Sequence, residues 1–101
     1  MKAKEKDFLQ ELFSIIAIKA KSKDKSSYTK LLLKSGKNKI AQKVGEESIE
    51  VIVEYLKGSK KRTIEEASDL IYHFFVLLYS KKISLKEIKI ELEKRKNVRL
   101  K

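Results

Sequence analysis

The stretch VGEESIEVIVEYL, Val44–Leu56, sets Glu46, Glu47, Glu50 and Glu54 into an otherwise mostly apolar segment. At about 100° per residue, Lys39, Lys43 and these four glutamates share one sector of a helix ~100° wide. Ile40, Val44, Ile49, Val51, Ile52, Tyr55 and Leu56 occupy most of the remainder. A helix apolar over so much of its circumference is largely covered, so its narrow charged stripe must face something particular. The segment 64–81 repeats the arrangement. Glu65, Glu66 and Asp69 share a sector, and Ile64, Ala67, Leu70, Ile71, Phe74, Phe75 and Leu78 fill the others.

The two stripes read E-x-x-E (Glu47, Glu50) and E-x-x-D (Glu66, Asp69), each with one more glutamate in front. Side chains three residues apart lie on one helix face a turn apart, so each pair can grip one cation. The short Gly58–Arg62 connection predicts an antiparallel hairpin that sets the pairs opposite each other. Two carboxylates ~6 Å apart repel by about 3 kcal/mol at an effective dielectric near 20. Several such pairs in one groove need a compensating charge. Lysines can supply it, but an all-oxygen cluster suits Mg²⁺, with Mn²⁺ as the alternative, and either binds phosphate oxygens as well. The competing reading is a solvated acidic face paired to lysines.

The rest of the chain fits a helical frame. Proline is absent, and Gly36 and Gly58 stand where helices should stop. Gly45 falls inside a helical pattern and predicts close packing against a neighbour. Thr63–Glu66 and Ser84–Glu87 match the capping box, and Asn38 can cap the helix of the opening stretch. The expectation is all-α: about five helices, at 5–20, 28–35, 39–57, 64–81 and 85–97, with Lys21–Ser27 as a flexible linker. The central hairpin is antiparallel. Helix 64–81 is apolar nearly all round, more than a chain of 101 residues easily covers, which predicts a dimer.

Composition narrows the class. One domain is expected from the length, and 42% apolar content supports a core. There are no cysteines, which excludes disulfides and thiolate zinc sites and suits a reducing cytoplasm. No secretory apolar region follows Met1, and the run Leu70–Tyr79 is far shorter than the roughly 20 residues of a membrane span. The net charge of +11 invites a nucleic-acid partner, but only three of the 25 basic residues are arginine and the lysines are scattered. Arginine forks and grouped aromatics are what such readers use, so no nucleic-acid partner is expected. A lysine-rich nucleic-acid module and a purely structural helical dimer are the rival classes.

The segments SYTKLLLKSGKNKIAQKVGEESIEV (Ser27–Val51) and EEASDLIYHFFVLL (Glu65–Leu78) resemble the phosphoribosyl-ATP pyrophosphatases of histidine biosynthesis. These belong to the MazG-type all-α nucleotide pyrophosphatases, whose signature is E-x-x-E followed by E-x-x-D. S-Y-T, K-x-G-E-E and D-L-x-Y-H narrow the likeness to the histidine enzyme rather than a housekeeping nucleoside-triphosphate pyrophosphatase. The likeness spans roughly residues 26–92, leaving 1–24 as an N-terminal helix and linker of packing or dimer-contact role. It implies a dimeric helical bundle that uses Mg²⁺ to split phosphoribosyl-ATP into phosphoribosyl-AMP and pyrophosphate. It also implies Glu47, Glu50, Glu66 and Asp69 as metal ligands. Glu46, Glu47 and Glu50 are the catalytic candidates, and Glu46 and Glu65 are neighbours to ligate, orient water or act as base. Length and the lack of cysteines imply that the cyclohydrolase domain fused to this unit in many organisms is not encoded.

Other residues keep two readings. Lys39 and Lys43 either hold substrate phosphates or balance the acids. Ser27, Tyr28 and Thr29 begin a helix whose free N–H groups favour a phosphate, or Ser27 simply caps it. Lys60, Lys61 and Arg62 either assist at a second helix start or form a solvated turn. His73 and Tyr72 are core residues or supports bonded to a metal-binding carboxylate.

Overall fold

In a computed structural model of the protein, residues 7–96 are described. They form five helices: α1 Phe8–Lys21, α2 Tyr28–Lys34, α3 Lys37–Lys57, α4 Lys60–Ser80 and α5 Leu85–Arg95. The all-α expectation holds, and α3 and α4 pack along each other as the hairpin. The outer bounds expected for the first and last helices, at residues 5 and 97, lie outside the described residues.

Local chemistry sets most boundaries. Asp7 caps α1 by accepting from the Gln10 N–H, and Ser27 caps α2 by accepting from Lys30. Gly36, at φ +96°, ends α2 and at once leads into α3. Such a left-handed backbone favours glycine. Because α3 starts at Lys37 directly behind it, Asn38 is a first-turn residue and not the cap. The capping box at Ser84 is present in full: its hydroxyl accepts from the Glu87 N–H, and the Glu87 carboxylate accepts from the Ser84 N–H.

The box read at Thr63 is not the helix start. Ser59 caps α4 by accepting from the Arg62 N–H, and the Thr63 hydroxyl donates back to the Ser59 carbonyl. The helix therefore gains a turn, Lys60–Thr63, made of residues with no objection to helical backbone apart from the threonine. The Lys21–Ser27 linker is also more ordered than expected. Lys21 is helical, and the Asp24 carboxylate accepts from both the N–H and the hydroxyl of Ser26. Gly45 lacks the close neighbour its position predicted, since a Cβ there would meet nothing within 4 Å.

The core lies at one end of the hairpin. Phe13 and Ile16 of α1, Leu32 of α2, Ile40 of α3, and Phe75, Val76 and Leu78 of α4 are buried together. The Phe13 ring sits 5.5 Å from that of Phe75 and 6.5 Å from that of Tyr79. The N-terminal helix is thus part of the core. Leu85 and Ile88 bring the start of α5 against it. At the other end of the hairpin the apolar side chains Ile49, Ile52, Val53, Tyr55, Leu56 and Ile64 are exposed.

A candidate metal centre on the helical hairpin

Antiparallel packing sets Glu47 of α3 across from Glu66 and Asp69 of α4. One carboxylate oxygen from each lies within 4.8 Å of the others. Glu66 is the acid most withdrawn from water, at 9% exposure, whereas Asp69 stands at the surface. Burial raises the Glu66 pKa above the ordinary glutamate value; the Arg62 guanidinium opposes the shift, and the charges of Glu50, Asp69 and Glu47 add to it. Like charges held this close favour the neutral form of whichever carboxyl is most desolvated.

Of the four ligands expected, three converge. Glu50 exerts its charge on Glu66 but is not among the converging oxygens. Glu46 turns the other way. Its carboxylate accepts from the Gln42 amide at 2.8 Å and lies 3.6 Å from the Lys43 ammonium. That hydrogen bond, then the charges of Lys43 and Lys39, hold its pKa below the ordinary value. Glu46 lines an open groove of about 360 Å³ between α2 and α3, with Tyr28, Leu31, Lys39, Gln42 and Lys43. Lys43 spans both regions, since it also reaches Glu47 at 3.9 Å. Three of the expected substrate contacts, Lys39, Lys43 and Tyr28, therefore share one groove beside the trio.

Ser27 and Thr29 do not face it. Both are buried, the first as the cap of α2, the second bonded through its hydroxyl to the Tyr72 phenol. His73 is also a core residue, not a support for a carboxylate. One ring nitrogen, Nδ1, lies 2.8 Å from the Asp69 carbonyl, and Nε2 lies 2.9 Å from the Tyr28 hydroxyl. A carbonyl only accepts, so Nδ1 carries the proton and Nε2 accepts from Tyr28. The Tyr28 and Tyr72 rings stack at 6.1 Å, and burial raises the Tyr72 pKa despite the Thr29 bond. The S-Y-T and Y-H residues thus clamp α2 onto α4 directly beneath Asp69.

Arg62, read from the sequence either as an assistant at a helix start or as part of a solvated turn, is drawn into the acidic cluster. Its guanidinium donates to Glu65 at 2.7 Å and to Glu66 at 2.9 Å, and lies 3.9 Å from Glu54 across the hairpin. Lys61 reaches Glu65 at 3.9 Å. Among the described residues no ion pair reaches Glu50 or Asp69. Of the seven acids from Glu46 to Asp69, the other five are paired, among the described residues, by Lys43, Lys61 and Arg62 alone. The cluster is short of positive charge.

The model of the phosphoribosyl-ATP pyrophosphohydrolases matches residues 9–96. This chain belongs to that family. The match begins inside α1, earlier than the motif-bearing segment that first suggested the likeness. The phosphoribosyl-ATP pyrophosphatase of Metallosphaera sedula is 46% identical over 88% of this chain and 96% of its own length. That of Sulfolobus acidocaldarius is 45% identical over 86% and 92%. A histidine biosynthesis bifunctional protein of Staphylococcus aureus is 41% identical over 90% of this chain, which there matches 43% of the longer protein. The family and these relatives make the chain a hydrolase of a pyrophosphate bond in histidine biosynthesis.

Proposed function

We propose that this chain hydrolyses phosphoribosyl-ATP to phosphoribosyl-AMP and pyrophosphate at the hairpin cluster, as a magnesium-dependent homodimer in the cytoplasm. The convergence of Glu47, Glu66 and Asp69 within 4.8 Å, in a chain of this family, carries the reading. The donor set fits a hard divalent ion: the converging atoms are carboxylate oxygens, and the one histidine is turned into the core. Glu47, Glu66 and Asp69 would hold it, with Glu50 beside them. Manganese fits the same donors. When bound, such an ion supplies Lewis-acid polarisation of phosphate and acidifies a coordinated water.

The chain's own groups do the rest. Water adds at the phosphorus joining the nucleoside monophosphate to the leaving pyrophosphate, and its proton passes to a carboxylate. Glu50, beside the trio and free of any ion pair among the described residues, is the acceptor we assign to that step. Lys39 and Lys43 line the adjoining groove, where ammonium groups attract substrate phosphates, and the half-exposed Tyr28 ring offers a flat apolar wall. Self-association is supported by the exposed row Ile49, Ile52 and Leu56 on α3, with Ile64 of α4.

The test is pyrophosphate release from phosphoribosyl-ATP, with and without Mg²⁺, beside a panel of nucleoside triphosphates. Metal-dependent turnover of phosphoribosyl-ATP above the panel is expected. Faster turnover of dUTP or dCTP, or turnover indifferent to Mg²⁺, would overturn the assignment.

A further inference from the structure

Arg62 occupies an unusual place for a residue two positions into a helix. Its three nitrogens meet carboxylates of both helices: Glu65 and Glu66 on α4, and Glu54 on α3. Glu66 is one of the three acids whose oxygens converge. The oxygen of Glu66 bonded to Arg62 is Oε2, at 2.9 Å, in a bond assisted by both charges. A divalent ion drawing on the same carboxylate must share it with the guanidinium or displace it.

We propose that Arg62 is a built-in competitor of the divalent ion. It holds the buried carboxylate while the site is empty and limits how strongly the carboxylate row binds cations. When the ion takes Glu66, the guanidinium keeps its contacts to Glu65 and Glu54 and can turn to the negatively charged substrate. Arg62 is on this account a positioning residue acting through Glu66. The inference rests on the divalent-ion reading of the trio.

Its sign separates it from a structural role. A residue that merely orients Glu66 would weaken ion binding when removed, by loosening a ligand. A competitor does the opposite. Removing one positive charge from beside the site favours a cation, and half-exposure of the Arg62 side chain moderates the gain to about tenfold in affinity. The experiment titrates Mn²⁺ calorimetrically into the wild-type protein, Arg62→Gln and Arg62→Lys, with helicity checked by circular dichroism. Expected is Mn²⁺ binding about tenfold tighter in Arg62→Gln and close to wild type in Arg62→Lys, with slower pyrophosphate release by Arg62→Gln. Unchanged or weaker binding in Arg62→Gln, with a wild type that does bind, overturns the competitor role alone. A wild type that binds no Mn²⁺ overturns the metal reading and this inference with it.

Discussion

Glu66 is where stability and chemistry pull apart, and the change Glu66→Gln measures both. The side chain is turned into the protein, and burial, with the charges of Glu50, Asp69 and Glu47, outweighs Arg62 in favouring its protonated form. A carboxyl with a raised folded pKa contributes stability that is full below the ordinary glutamate value of 4.5 and is lost as pH rises through the folded value. At pH 7.5 without divalent ions, Glu66→Gln, which has the same shape and no charge, should therefore melt no lower than the wild type. Acidification toward the ordinary carboxylate range should close any gap. On the metal reading, divalent ions should reverse the order. Binding to the folded state alone stabilises by about 2.7 kcal/mol at a hundred times Kd, worth about 15 °C in a domain of this size. The wild type should gain that, and the variant, left with two of the three converging carboxylates, should lose most of it. Pyrophosphate release should fall by about 10²-fold or more. Differential scanning calorimetry with and without Mg²⁺, at pH 7.5 and pH 5, reads all the thermal effects. A variant melting well below the wild type without metal would make Glu66 chiefly Arg62's structural partner. A full Mg²⁺ shift retained in the variant would remove Glu66 from the metal centre.

Two other changes probe the frame around the site. Ile52→Lys puts a charge on the exposed row of α3 and should turn the proposed dimer into a monomer in sedimentation velocity; an unchanged sedimenting mass would refute this face as the interface. Thr29→Val keeps the shape of a buried residue but leaves the Tyr72 phenol without its partner. It should cost about 1–2 kcal/mol, seen as a melting temperature lower by roughly 5–10 °C, and an unaltered melt would mean that water takes the bond.

Periodicity made the two central helices and their acidic stripes legible, because 3.6-residue spacing alone decides which side chains share a face. Hairpin register was not legible in the same way. Glu47 and Glu50 are equivalent by spacing, and only three-dimensional pairing sets Glu47, rather than Glu50, level with Glu66 and Asp69. The histidine was legible as a residue needing partners but not which ones, since Tyr28 lies 45 positions away in the chain. Arg62 was hidden by a single boundary. Two hydroxyl residues four apart, Ser59 and Thr63, can each cap a helix. Choosing Thr63 left Arg62 in a turn. With Ser59 as the cap, Arg62 stands three and four residues before Glu65 and Glu66, the spacing at which opposite charges meet on a helix.

Burial is distributed unevenly along the hairpin. Among the described residues, all seven buried apolar side chains belong to the end where α1 and α2 cover the hairpin. Between Glu46 and Leu70, Glu66 is the only buried side chain among the described residues. Among the described residues that half of the hairpin is therefore tied by its own helix contacts and by one ion pair across it, Arg62 to Glu54 at 3.9 Å, partly solvated and weak. A divalent ion bridging Glu47 to Glu66 and Asp69 would link the two helices where apolar packing does not. A second copy laid on Ile49, Ile52 and Leu56 would cover them from outside. Charge repulsion within and bare apolar surface without are two costs of one arrangement. On the proposed reading, ion binding and assembly would relieve both.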